Sequence, residues 1–499
     1  MTPSIILLII SIYFSLLFYI SHTVSKKDSG NDVFFTANKN SKWYLVAFGM
    51  IGTSLSGVTF VSVPGTVAAN GFYYYQMVLG FFIGYFVVAY VLLPLYYKYN
   101  LSSIYRYLEY RLGFSAYKWG AGYFILSRTL GATVRLYLVI NVLQLFVFDS
   151  VGIPFWMSTL LIIAMIIAYT FRGGVKTIVW TDTLQTIFML LALVVCIIVI
   201  QGELNWSWSH IWQQMSENDM TKLWSTDPMR KDFMWKHIIG GAFITITMTG
   251  LDQEMMQKNI SVRNLKDAQK NMVVFSFILL FVNALFLLLG GMLQLFAAKN
   301  GWEFKPDDLF PSIVLQHLPF GIFIIFIIGL ISALFPSVDG AITALTSSFC
   351  IDILGFERRE NMDESQKNKL RKGVHLSFAV LFMLLVFYFK WMDNKSIVDL
   401  IFTIAGFTYG PLLGLFAFGI LTKRTLSNVM VPIVCILAPL ICLGITYGPM
   451  IMTYFNPNYQ SSNWLNGYAF GHEMLILNGG ITFILLYLTS KSTIQQETI

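Results

Sequence analysis

Lysine and arginine fall on alternate sides of a long series of apolar stretches, and few folds accommodate that pattern. The apolar stretches lie near 3–22, 43–67, 74–98, 118–147, 153–171, 178–201, 236–252, 270–297, 319–352, 372–390, 396–421, 428–449 and 471–490. There are about thirteen, and each approaches the ~20 residues that a helical bilayer crossing takes. With the N-terminus outside, the first inner loop holds Lys26, Lys27, Lys39 and Lys42, and the next holds Lys98, Arg106, Arg111 and Lys118. Arg172 and Lys176 follow, then Lys258, Arg263, Lys266 and Lys270. The later inner loops carry Arg358, Arg359, Lys367, Lys369, Arg371 and Lys372, then Lys423 and Arg424, and Lys491 lies on the tail. The outer loops are poorer in charge, and 450–470 has no Lys or Arg. Short basic loops stay inside, which predicts an all-α polytopic membrane protein with its N-terminus out and its C-terminus in.

Composition agrees. The chain is 56% hydrophobic and 12% charged, where a soluble domain carries about a quarter charged residues. The net charge of +7 resides in the inner loops, so it reads as topology and attraction to an anionic lipid bilayer, with no nucleic acid as partner. Cys196, Cys350, Cys435 and Cys442 all fall inside apolar segments, without disulfide or zinc spacing. Residues 3–22 lack both a preceding positive charge and a small-residue cleavage site, so they read as a spanning helix and not as a signal peptide.

The loops leave no room for an independent catalytic or sensor domain, which places the function among the helices. The longest outer segment, 202–235, carries Trp206, Trp208, Trp212, Trp224 and Trp235, a composition suited to a short helix at the membrane surface. Ionisable groups at membrane depth are costly and mark function by default. Here they are Arg128, Arg135, Asp182, Asp339 and, near a helix end, Asp252. Each has a structural alternative, an internal ion pair, and for Arg128 and Asp252 the two readings stand level. Asp182 and Asp339 read as functional, the latter beside Gly329, Pro336 and Gly340.

Broken helices are the second clue. Residues 43–67 contain Gly49, Gly52, Gly57, Pro64 and Gly65 with hydroxyls between them, and 236–252 contains Gly240, Gly241, Thr245, Thr247, Thr249 and Gly250. Such segments unwind at membrane depth, where freed carbonyls coordinate a cation. Each opens a set of five spans. Five is odd, so the two sets face opposite ways, as an inverted repeat does. The predicted organisation is therefore an extra N-terminal helix and loop (1–42), a first repeat (43–201), the Trp-rich outer loop (202–235), a second repeat (236–421), and two further helices with a tail (422–499).

Five stretches then resemble the sodium/solute symporter family, which includes the sodium–glucose cotransporters. Gly52-Thr-Ser-Leu-Ser-Gly-Val-Thr59 with Val63-Pro64-Gly65 resembles its first core helix, and Tyr105-Arg-Tyr-Leu-Glu-Tyr-Arg111 the inner loop after its second. Gly173-Gly174-Val-Lys-Thr-Ile-Val-Trp-Thr-Asp182-Thr-Leu-Gln185 is the most specific match, to the fifth core helix. Ser337-Val-Asp-Gly resembles the eighth and Gly410-Pro411-Leu-Leu-Gly414 the tenth. Their order and spacing cover the chain from about 1 to 490.

The resemblance implies a LeuT-type fold of five-plus-five inverted repeats and Na+-driven uptake by alternating access. It implies a Na+ held by the carbonyls of Gly52, Leu55 and Ala333 and the hydroxyl of Ser337. Pro336 stands where relatives carry a second hydroxyl, and Asp339, one turn further on, is the expected compensation. It also implies a second cation position at Asp182, although Pro336 and Gly340 remove hydroxyls expected there. The positions it assigns to the solute are Thr59, Thr245, Thr249 and Thr403, with Gln76 a looser candidate; the alternative is that these merely line packed helix interfaces. Arg128 and Arg135 stand i, i+7 on one face. A buried guanidinium suits a bidentate grip on a carboxylate, so Arg135 joins the substrate candidates, with an internal ion pair as the rival. Asp252, Gln253, Glu254, Gln257 and Lys258 read as a cytoplasmic gate.

The predicted function is a Na+-coupled symporter in the plasma or inner membrane that imports a small polar organic solute. That solute is a sugar, a sugar acid such as sialic acid, or another carboxylate. A proton-coupled carrier of the same fold is the alternative, prompted by Asp182, Asp339 and the lost hydroxyl at Pro336. A membrane sensor is disfavoured because the chain stops at Ile499, with no room for a signalling module. An enzyme is disfavoured because His210, His237, His317, His375 and His472 form no nucleophile-plus-base or metal spacing.

Overall fold

The computed structural model describes residues 3–25, 31–359, 361–392, 397–456, 465, 468 and 470–492. Lys26, Lys27 and the tail beyond 492 lie outside the described residues. Sixteen helices carry the architecture. The first half comprises α1 (Pro3–Ser25), α2 (Trp43–Ser54), α3 (Gly57–Asn70), α4 (Tyr74–Lys98), α5 (Phe114–Leu143), α6 (Phe155–Phe171) and α7 (Gly174–Leu204). The second comprises α8 (Met234–Thr245), α9 (Gln253–Ile260), α10 (Leu265–Asn300), α11 (Phe320–Ser348), α12 (Glu364–Met392) and α13 (Ile397–Thr408). Then come α14 (Gly410–Leu421), α15 (Met430–Phe455) and α16 (Met474–Thr489). No strand occurs among the described residues.

Seven of the described helices are long and apolar enough to cross a membrane, or eight when α2 and α3 are taken as one span bent by 55°. Four shorter apolar helices accompany them, Leu8–Val24, Phe155–Phe171, Gly410–Leu421 and Met474–Thr489. The packing core is α11, which is buried continuously from Gly329 to Ser348. It lies against the α6–α7 pair, α5 and α2, while α8 lies against α4. The lipid-type surface is displaced to the periphery, where α12 and α15 expose Leu376, Leu384, Ile433 and Leu440.

Two breaks position everything that follows. Between α2 and α3, Leu55 and Ser56 leave helical geometry (φ −86°, ψ 26° and φ −25°, ψ 171°). The sequence supplies Gly52 and Gly57 on either side, and a helix flanked in this way opens easily. Between α8 and α9 the helix first widens into a π turn over Ile246–Gly250 and then stops at Leu251. Asp252 restarts it as an N-cap, its Oδ1 accepting the backbone N–H groups of Glu254 (2.9 Å) and Met255 (3.3 Å). Tyr96 and Tyr105 hydroxyls donate to the freed carbonyls of Gly250 (2.7 Å) and Leu251 (3.0 Å), so the polar groups opened by the break are satisfied within the protein.

Gly174 separates α6 from α7 with φ 52° and ψ −150°, a backbone region that only glycine enters without strain. A Cβ there would lie 2.4 Å from the Phe34 Cα and 2.5 Å from its carbonyl oxygen. Gly174→Ala is therefore expected to lower stability by roughly 1–3 kcal/mol, seen as a lower thermal midpoint of the purified protein. An unchanged midpoint would show that the Phe34 segment yields freely.

Candidate substrate and cation sites

The two breaks face one cavity. From the first come Thr53, Ser54, Ser56 and Thr59; from the second, Thr245, Met248, Thr249 and Met255. Helix α4 adds Tyr74, Phe81 and Tyr85, and α13 adds Ile401. Helix α5 contributes Arg128 and Arg135. The lining is thus a mixture of hydroxyls, aromatic rings and two guanidinium groups, a composition suited to a small polar organic molecule.

The two arginines have opposite environments although they share a helix face. Arg128 is buried and forms an ion pair with Glu254, whose carboxylate it meets through Nη2, and its Nη1 lies 3.8 Å from the Asp252 carboxylate. Tyr409 donates its hydroxyl to the same Asp252 oxygen at 2.8 Å. Arg135 is half-buried, lines the cavity, and has no hydrogen bond or ion pair among the described residues. An unpaired guanidinium in a helix bundle invites an anionic partner.

Below the cavity, α9 is buried along its whole length despite carrying Glu254 and Lys258. The Lys258 ammonium reaches across to α7 and α2: its Nζ is 2.7 Å from Asp182 Oδ2, 2.6 Å from Thr53 Oγ1 and 3.6 Å from Glu254 Oε1. Thr53 Oγ1 in turn sits 3.4 Å from the Pro336 carbonyl oxygen. Glu254 and Lys258 were not among the ionisable groups expected at membrane depth. The signal was present, since they stand at i, i+4 with opposite charge immediately after a glycine-interrupted segment.

Of the residues expected to hold Na+, Gly52 lies where α2 meets α11. A Cβ on Gly52 would lie 3.3 Å from Pro336 Cγ, so backbone and helix touch there. Leu55 terminates α2; Ala333 and Ser337 are fully buried on α11. The Ser337 hydroxyl donates to the Leu334 carbonyl at 2.8 Å, which leaves its oxygen lone pairs free to face a cation. Asp339 has both oxygens engaged, one by the Tyr169 hydroxyl (2.7 Å) and one by the Gly340 amide (2.5 Å). Neutral oxygens from unwound backbone and a serine are the donor set a hard monovalent cation takes.

Of the substrate candidates, Thr59, Arg135, Thr245 and Thr249 meet at the cavity. Gln76 and Thr403 are not part of its lining. The Gln76 amide binds the carbonyl of Tyr73 (3.1 Å) and accepts from the Ser225 N–H (3.3 Å), tying α4 to the 202–235 segment. Thr403 is exposed. In that segment, Trp208–Glu217 forms a helix capped by Ser207 that buries Ile211 and Met215 and exposes Trp208 and Trp212.

The sequence model for the Sodium:solute symporter family matches residues 34–429. The chain is 23% identical over 448 residues to the sodium/sialic acid symporter SiaT of Proteus mirabilis, covering 87% of this chain and 86% of that protein. It is 26% identical over 439 residues to the human sodium-coupled monocarboxylate transporter 2, covering 82% and 68%. A solved structure of a Na+-coupled sialic acid symporter, in a substrate-bound outward-open state, superposes with a TM-score of 0.83. That likeness covers 98% of this chain and 99% of the other at 19% identity, and it shows the fold to be LeuT-type. This chain belongs to the sodium:solute symporter family. It is a multi-pass membrane transporter and not an enzyme, and Na+ is the ion it couples to a small solute.

Proposed function

We propose that the protein imports a small carboxylate-bearing solute across the cell membrane, a sugar acid such as sialic acid being the first candidate. The observation that carries this reading is Arg135, a guanidinium without a partner among the described residues, set into a cavity of hydroxyls between two broken helices. Arg135 grips the carboxylate in a bidentate fork, and Thr59, Thr245 and Thr249 meet the solute's remaining polar groups. Arg128 is held by Glu254 and Asp252, so it shapes the site's field without receiving the solute. The named substrates of the two relatives, sialic acid and monocarboxylates, share that carboxylate.

In this proposal about thirteen segments cross the bilayer with the N-terminus outside, in the repeat boundaries given above, and 202–235 lies on the outer surface. Na+ binds the carbonyls of Gly52, Leu55 and Ala333 and the hydroxyl of Ser337. Because these groups come from α2 and α11, a cation there draws the two helices together and fixes the α2–α3 break that lines the solute cavity. Thus each ligand favours the same conformation, and coupling follows as a free-energy linkage between sites.

Competitive uptake in membrane vesicles tests the substrate class. Carboxylates are expected to compete for Na+-dependent uptake where their amides do not; equal competition by the amides would remove Arg135 from the account. Ser337→Ala tests the ion. Loss of one neutral ligand costs about 1–3 kcal/mol, or a five- to roughly hundredfold rise in the Na+ concentration for half-maximal uptake. Ser337→Thr keeps the oxygen and is expected to be far milder. Unchanged Na+ dependence in Ser337→Ala would move the cation elsewhere.

A further inference from the structure

The carboxylate expected to help bind a second cation already has one beside it. Asp182 faces the Lys258 ammonium at 2.7 Å, Thr53 Oγ1 completes the shell at 2.6 Å, and Glu254 Oε1 stands at 3.6 Å. These are the donors a small monovalent cation would take, gathered from α7, α2 and α9 around a nitrogen that carries a positive charge of its own. All three charged side chains are buried. The family resemblance implies hydroxyls for a second free ion where this chain has Pro336 and Gly340, and here Thr53 lies 3.4 Å from the Pro336 carbonyl.

We propose that Lys258 is a tethered cation that permanently occupies the Asp182 position, so that this carrier binds one free Na+ where the constellation would otherwise take two. The proposal rests on Na+ coupling but not on the identity of the solute, so its test omits the solute. The ammonium comes from α9, beyond the second broken helix, while its ligands come from α7 and α2. It therefore supplies without a diffusing ion the bridge between the two repeats that an ion would supply.

Equilibrium binding of 22Na+ to the purified full-length protein, without solute, decides the matter. Wild type is expected to bind about one Na+ per chain without cooperativity. Lys258→Met removes the ammonium and leaves Asp182 and Glu254 exposed to the vacated space; the count is expected to rise to about two, with cooperativity. Lys258→Met combined with Asp182→Asn removes both charges, and the count is expected to return to about one. Wild type binding two Na+ per chain, or Lys258→Met still binding one, overturns the proposal. If Lys258→Met does not fold, Asp182→Asn serves in its place. The proposal expects it to leave the Na+ count at the wild-type value, and a reduced count overturns it. Carriage of some other solute would alter none of these counts.

Discussion

Arg135→Ala is expected to abolish Na+-driven uptake of carboxylates while the protein still reaches the membrane. Arg135 has no internal partner among the described residues, so its removal breaks no ion pair and leaves no buried carboxylate unpaired. The loss falls on the solute instead. Deleting one member of a desolvated, hydrogen-bonded charge pair costs about 2–5 kcal/mol, which corresponds to roughly thirty- to several-thousandfold in affinity. Arg135→Lys keeps the charge but not the planar fork, and an intermediate loss is expected. Uptake assays with a surface-expression control check this. Normal uptake by Arg135→Ala would mean that the carboxylate is recognised elsewhere.

Glu254→Gln has the opposite signature. Glu254 pairs with Arg128 and lies 3.6 Å from Lys258, and all three side chains are nearly inaccessible. Removing its charge leaves Arg128 with Asp252 alone, at 3.8 Å. Breaking a buried pair from one side costs roughly 3–5 kcal/mol, so a clear drop in thermal stability and yield is expected in addition to lost transport. Arg128→Met with Glu254→Met removes both partners and is expected to recover much of that stability, because neither charge is stranded. If Glu254→Gln were as stable as wild type, the pair would be unimportant to the fold. The contrast separates the arginines: one variant loses function with stability intact, the other loses both.

The difference between Arg128 and Arg135 also shows where sequence reasoning stops. Both are arginines on one face of α5, two turns apart, and periodicity assigns them the same surroundings. Their partners are decided by α9, more than a hundred residues further along the chain, and only packing reveals which guanidinium it reaches. The helix breaks were legible because their causes are local: glycine and hydroxyl composition at 52–57 and 240–250 announces where a helix opens. The α6–α7 division was legible for the same reason, with Gly173 and Gly174 beside the basic pair Arg172 and Lys176. Asp252, Gln253, Glu254, Gln257 and Lys258 read from the sequence as a gate at the inner end of a broken helix; what the sequence alone does not give is their burial, with Glu254 paired to Arg128 of α5 and Lys258 to Asp182 of α7. Gln76 shows the converse case, a polar residue at a plausible helix position whose hydrogen bonds go to backbone and not to the cavity.

The central claim is that a Na+ gradient drives a carboxylate-bearing solute through the Arg135 cavity. Reconstituted proteoliposomes, offered labelled sialic acid, a short monocarboxylate and a neutral hexose under an imposed Na+ gradient or an imposed pH gradient, test it most directly. At least one of the two acids is expected to accumulate above its external concentration with Na+ and not with the pH gradient, and the hexose is expected not to accumulate. Accumulation of the hexose alone, or of an acid driven by the pH gradient alone, would contradict it.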